Sequence, residues 1–162
     1  MDIIEVESHH HGLVKGMYQC YLHDISEFEA PYKMDENGCW QPDYLPFWLG
    51  NNDGAMPHLI RYDDQFIGLA FVGAHPFPYM NPNRDYRFCE FFILRAFRGD
   101  GLGRKAARAV LQKYGGHWEM VVLPENQAAL SFWRTIIDDL QADRFRRETT
   151  EEGIIYSFVM PS

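Results

Sequence analysis

Apolar positions along the chain switch between two periods, and the switches predict an order of elements. Residues 2–6 form a short extended run. From 11 to 29, Leu13, Met17, Cys20, Tyr21 and Ile25 recur three or four apart, the spacing of one helix face. Pro31, Pro42, Pro46 and Pro57, with Gly38, Gly50 and Gly54, break up residues 30–57, which read as irregular apart from a short helix at 44–49. Two extended runs, 58–62 and 65–74, meet at the polar pair Asp63-Asp64 as a hairpin. A Pro- and Asn-rich loop at 76–84 leads into residues 87–97, strand-like in their aromatic and β-branched content. A helix over 101–114 stops at Gly115-Gly116, and a strand follows at 117–123. Over 126–140, Ala129, Leu130, Trp133, Ile136, Ile137 and Leu140 share one helix face. Two closing strands, 144–149 and 153–160, fold about Glu151-Glu152-Gly153. This order predicts an α/β sandwich on a mixed sheet.

Composition narrows the class. The 162 residues suit a single domain spanning 1–162, and 46% apolar content with 15% aromatics provides a packed core. Acidic residues outnumber basic ones by 23 to 15, a net charge of −8. That balance speaks against a nucleic-acid partner and favours a cationic one such as an amine. Cys20, Cys39 and Cys89 show no CxxC spacing and read as reduced, mostly buried thiols of a cytoplasmic protein. The first residues lack a signal-peptide pattern, and no apolar run approaches a membrane span. The tract His9, His10 and His11 reads as the start of a helix, since no carboxylate or cysteine cluster completes a metal site; no metal is expected.

The chemistry concentrates at residues 91–104. A hydrophobic strand runs into a turn with Gly99, Gly101 and Gly103, and the turn opens a helix. Glycines there let the backbone approach an anion closely, and the unpaired first amides and dipole of the helix favour negative charge. Residues 101–116 carry Arg104, Lys105, Arg108 and Lys113 and no acid, in an otherwise acidic chain. The loop is not a Walker loop, lacking Lys-Ser/Thr after its last glycine, and its alternate glycines do not fit a dinucleotide fingerprint.

Arg98, Gly99, Asp100, Gly101, Leu102 and Gly103 resemble the R/Q-x-x-G-x-G/A loop of the GCN5-related N-acetyltransferase (GNAT) superfamily. Asn126, Ala129 and Trp133 are similar to that family's N-x-x-A-x-x-x-Y segment, one helix and one strand further on, and the element order agrees over nearly the whole chain. The resemblance implies a mixed, mostly antiparallel sheet flanked by helices, with a V-shaped splay between strands 4 and 5. It implies acetyl-CoA as co-substrate. Main-chain amides of Phe92, Ile93 and Leu94 would pair with its pantetheine arm, those of Arg98, Gly99, Asp100, Gly101, Leu102, Gly103 and Arg104 would hold its pyrophosphate, and Asn126 would meet the pantetheine or the acyl sulfur. Arg95 stands where many members carry proline.

Acyl transfer to an amine needs a base, a donor to the oxyanion and close approach. Glu90 is the candidate base and, by the resemblance, the amide of Ile93 the oxyanion donor. The family's tyrosine is replaced by Trp133, whose indole is no useful acid, so the general acid is unassigned and Trp133 reads as packing with an edge near the sulfur. Acceptor recognition would fall to Tyr21, Asp24, Glu27, Glu29, Tyr32, Asp35, Trp40, Tyr44 and Trp48, carboxylates among aromatics that suit an amine. Phe77, Tyr79 and Met80 would cover the pocket or join a homodimer. The expected function is acetyl transfer to a small primary amine in a ternary complex; an acyl-CoA sensor with weak turnover, or an enzyme acting on protein amino groups, are the alternatives.

Overall fold

The computed structural model describes residues 1–29 and 32–161; the Pro31 break lies outside them. Seven strands form one sheet in the order β1-β2-β3-β4-β5-β7-β6: β1 Asp2–Glu5, β2 Ala55–Tyr62, β3 Gln65–Ala74, β4 Tyr86–Ile93, β5 Gly116–Val122, β6 Asp143–Thr150 and β7 Gly153–Met160. All pairings are antiparallel except β4 with β5. Helices α1 His11–Ile25 and α2 Leu45–Leu49 cover one face; α3 Leu102–Lys113 and α4 Gln127–Asp139 cover the other.

Strand alternation builds both cores. Leu59, Leu69 and Phe71 pack under Val14, Tyr18 and Trp48, while Ile60, Ala70 and Val72 meet Ala106, Val110 and Leu111. The turn between β2 and β3 holds Asp63 at φ 49° and Asp64 at φ 58°, the paired left-handed geometry of a tight hairpin that short polar side chains tolerate. β2 begins three residues before the expected hairpin and contains Pro57. Pro57 carbonyl accepts from Val6 N–H, and with no proline N–H to return the bond the β1 ladder ends at Glu5.

Three sequence expectations change. Helix α1 ends at Ile25, where Ser26 Oγ donates to the His23 carbonyl, and Leu13 and Cys20 turn outward while Val14, Met17, Tyr18 and Leu22 are buried. Cys20 and Cys39 are exposed and only Cys89 is largely enclosed, so most of the thiols are not core residues. The segment 87–97 stops pairing after Leu94, and Arg95–Phe97 is a 3-10 turn that swings the chain toward α3. Ser8–His10 forms a 3-10 turn into α1, in which Glu7 N–H donates to His10 Nδ1, as expected of a helix start. Among the described residues no helix is long and apolar enough to cross a membrane.

Away from the glycine loop, His58 on β2 is fully buried with Nε2 2.8 Å from the Tyr114 hydroxyl. Burial, helped by the nearby Lys113 charge, lowers its pKa from 6.5 to about 4. A depressed folded pKa means that stability is present above 6.5 and is lost as pH falls through about 4. The stability difference between the wild type and His58→Gln, followed by urea unfolding, is therefore expected to shrink over that window; a difference independent of pH would contradict a neutral buried imidazole.

Candidate active site

β4 and β5 pair only at Tyr86↔Trp118, Arg87↔Glu119 and Phe88↔Met120, and then separate. The register of β4 against β3 slips at the same point: Val72 faces Phe88 and Phe71 faces Glu90, leaving Cys89 as an extra bulged residue. Without the bulge, Phe88 and Glu90 would share a face. With it, Phe88 joins the α3/α4 core and Glu90 turns toward α1. The bulge thus aims the one carboxylate of an aromatic strand into the splay.

Beyond the bulge, alternation divides the main-chain groups. Leu94 N–H donates to the Ile67 carbonyl (2.8 Å), so it and the in-phase Phe92 amide face β3, while Phe91 and Ile93 face the open side. The expected trio of Phe92, Ile93 and Leu94 therefore reduces to Ile93 for cleft-facing amides, with Phe91 added.

Past Ile93 the glycine loop takes shape. Gly99 (φ 102°) and Gly101 (φ 76°) adopt left-handed backbone, and a Cβ on either would meet nothing within 4 Å. Gly101 opens α3 with no side-chain cap and no acid in the first turn. Arg98 N–H donates to the Arg95 carbonyl and Lys105 N–H to the Gly101 carbonyl; in between, the amides of Gly99, Asp100, Gly101, Leu102, Gly103 and Arg104 donate to none of the described residues. A run of unpaired amides around open space has the donors and the room to receive an anion. Helix α4 is built differently: Asn126 Oδ1 accepts from Ala129 N–H at 2.9 Å and caps it.

Arg98 is held rather than free. Its Nε donates to the Ile93 carbonyl (2.6 Å), its Nη2 to Asp24 (2.5 Å), and its guanidinium lies 5.3 Å from the Phe92 ring centre. Arg95 donates to the other oxygen of Asp24 at 2.9 Å. Burial pushes the Asp24 pKa up, but the hydrogen bonds from Arg98 and Arg95 prevail and keep it below its ordinary value. Asp24 thus ties α1 to the loop, with both carboxylate oxygens engaged by arginines. The Asp35 carboxylate accepts from the amides of Asn37 and Cys39. Trp40 is joined to Gln19 through both its N–H and its carbonyl, on the outer side of α1.

Two cavities flank the splay. One, of about 520 Å³, runs from the glycine loop along Phe92 and Ile93 and includes Asp24 and Glu27. The other, of about 470 Å³, is lined by Glu90, Tyr18, Glu29, Tyr32, Tyr44 and Trp133. Tyr21, Phe91, Asn126 and Phe132 border both, so the cavities meet there. Tyr18 hydroxyl donates to Glu90 Oε1 at 3.2 Å. Desolvation lifts the Glu90 pKa from 4.5 to about 7, with Tyr21 and Tyr18 hydroxyls pulling it partly back. Burial and the Glu90 charge hold both phenols well above their ordinary range, so they stay protonated. Trp133 packs among Phe88 (4.7 Å between ring centres), Phe91 and Phe132. Cys89 is pushed up to about 12, chiefly by burial, and is unreactive.

A family model described as the acetyltransferase (GNAT) family matches residues 17–136, the span that contains the splay, the bulge and the glycine loop. The chain belongs to the GNAT acetyltransferase family. Solved structures agree on the fold of this acetyltransferase. An acetyltransferase from Thermus thermophilus superposes with a TM-score of 0.67 at 17% identity, covering 99% of this chain and 96% of that one. AAC(6')-Ib in complex with ribostamycin and coenzyme A gives 0.63 at 14% identity, over 98% and 92%. A spermidine N-acetyltransferase chimera from Vibrio cholerae and hSSAT gives 0.59 at 12% identity, over 99% and 96%. No curated protein matches the chain.

Two features of this acetyltransferase were not legible beforehand: the Glu90 partnership with Tyr18, and the position of Tyr21 between the cavities. Tyr18 and Tyr21 lie one helical turn apart, a pairing signal on the inner face of α1. Among the described residues no cluster of three or more His, Cys, Asp or Glu side chains is arranged to hold a metal.

Proposed function

We propose that this acetyltransferase transfers an acetyl group from acetyl-CoA to the primary amine of a small molecule, by direct attack with both substrates bound. The observation that carries the reading is the junction of the two cavities, with an amide cradle at the far end of one and Glu90 in the other. The open, uncapped loop fits a pyrophosphate, and acetyl-CoA supplies the activated thioester. The amides of Gly99, Asp100, Gly101, Leu102, Gly103 and Arg104 hold the pyrophosphate, while the Ile93 and Phe91 amides face the pantetheine arm. Phe91 borders both cavities whereas Ile93 borders the donor cavity alone, so the Phe91 amide is better situated to receive the negative charge that develops on the acyl oxygen.

Glu90, poised near neutrality, accepts the proton of the attacking amine. Tyr21 stands where the cavities meet; its phenol stays protonated and can stabilise the departing thiolate by a hydrogen bond, with the thiolate taking its proton from solvent. Asn126 Oδ1 is engaged in capping, which leaves its Nδ2 as the donor toward the pantetheine.

Thiol release from acetyl-CoA, measured against a panel of primary amines, tests the reading. Amine-dependent release is expected, and Tyr21→Phe should lower kcat by about tenfold to a hundredfold with little change in acetyl-CoA affinity, the range of one lost hydrogen bond to a charged group. Binding of acetyl-CoA without release by any amine would instead mark a sensor, and an unaltered kcat in Tyr21→Phe would remove Tyr21 from thiolate stabilisation.

A further inference from the structure

The acceptor cavity continues past Glu90 into a side chamber of about 210 Å³ beneath α2, sharing Tyr44, Phe88, Cys89, Glu90 and Val121 with it. The chamber is walled by Phe47, Trp48, Phe77 and Tyr79. Trp48 and Phe77 are buried and stack at 5.3 Å between centres, forming a rigid floor. Tyr44 and Tyr79 stand over it edge-to-face at 5.8 Å and are 51% and 57% exposed. Large aromatic side chains left this open, on two different segments and in edge-to-face contact at the mouth of the chamber, offer apolar ring surface to a ligand.

Charge limits what that ligand carries. Among the described residues lining the two spaces, only Glu90 and Glu29 are acidic, and Glu29 is exposed at the rim. Arg87, which lines the chamber, is compensated by Glu119 (3.5 Å) and Glu152 (3.6 Å), donates to the Tyr79 carbonyl and supplies no carboxylate partner for an amine. Asp24, the other nearby carboxylate of α1, is committed to Arg95 and Arg98. A polycation would find one enclosed carboxylate, Glu90, and no second one inside the two spaces for a further ammonium.

From the wall and the charge together we infer that the acceptor is a primary amine carrying a single positive charge on an aromatic or bulky apolar body, an arylalkylamine in chemical class. Its amine sits at Glu90 and its ring lies against the pair Tyr44 and Tyr79 at the mouth of the chamber. This rests on the acetyl-transfer reading above and narrows it to one kind of acceptor, different from the polyamine and aminoglycoside in the names of two structural neighbours.

Steady-state thiol release with 2-phenylethylamine, propylamine, spermidine and ribostamycin tests it. The expected order places 2-phenylethylamine at least about tenfold above spermidine and ribostamycin in kcat/KM, the size of one aromatic contact plus one unmatched charge. Tyr44→Ala and Tyr79→Ala should each raise KM for 2-phenylethylamine by about three- to tenfold while kcat is retained. Spermidine or ribostamycin outperforming 2-phenylethylamine, or an unchanged KM in both variants, would overturn this inference and leave acetyl transfer standing. No release with any of the four amines, in a protein that binds acetyl-CoA, would overturn both.

Discussion

Glu90→Gln is expected to lower kcat/KM by about 10²–10³ at pH 8 and to erase the rising acidic limb of the pH–rate profile. In the wild type that limb should be centred near the folded pKa of about 7, because only the ionised carboxylate can accept the proton of the amine. The substitution keeps the shape of the side chain and its hydrogen-bonding reach to Tyr18, so the loss reports chemistry rather than collapse. Stability should move the other way. The folded pKa of Glu90 lies above its ordinary 4.5, so its contribution is most favourable below 4.5 and is lost as pH rises through about 7. At pH 8 the enclosed charge is a burden that glutamine removes, and the variant should unfold less readily by up to about 3 kcal/mol. Less activity with more stability is the signature of a strained functional group. A pH–rate profile matching wild type would reject the base assignment.

Gly101→Glu is expected to reduce acetyl-CoA affinity by at least about a hundredfold, or about 2.7 kcal/mol. Two effects act together. The open space beside the Gly101 Cα is the space an anion would fill, whereas the strain of a side chain at φ 76°, roughly 1–2 kcal/mol, falls on stability and not on affinity. A carboxylate there both occupies the cradle and opposes the charge of the pyrophosphate. Because the position is exposed and a Cβ meets nothing, the fold itself should survive, with a melting temperature lowered by only a few degrees. Retained affinity in a folded variant would mean that the loop amides do not hold the donor.

The elements of this fold were written clearly in the periodicity, because strand and helix patterns depend on local spacing. The Asp63-Asp64 turn, the glycine loop and the α4 face with Leu130, Trp133, Ile136 and Ile137 lie where the pattern puts them. What escaped is tertiary. The inner face of α1 is one residue away from the expected one, since Leu13 and Val14 are equally apolar and only the sheet beneath decides which is buried. The bulge at Cys89 has no composition signal, yet it sets the direction of Glu90 and the point of the splay. The Asp24 clamp joins residues more than seventy apart in sequence, so its role as a brace for Arg95 and Arg98 follows only from the folded chain. The replacement of tyrosine by Trp133 was visible as a departure; that Tyr21 from α1 stands at the cavity junction was not.

The most direct test of a donor site at the glycine loop is calorimetric titration of the wild-type protein with acetyl-CoA. Micromolar binding at one site per chain, absent or severely weakened in Gly101→Glu, is the result expected of the cradle formed by residues 99–104. No binding by the folded wild-type protein would make the loop a plain strand-to-helix connection and contradict the acetyl-CoA-dependent reading.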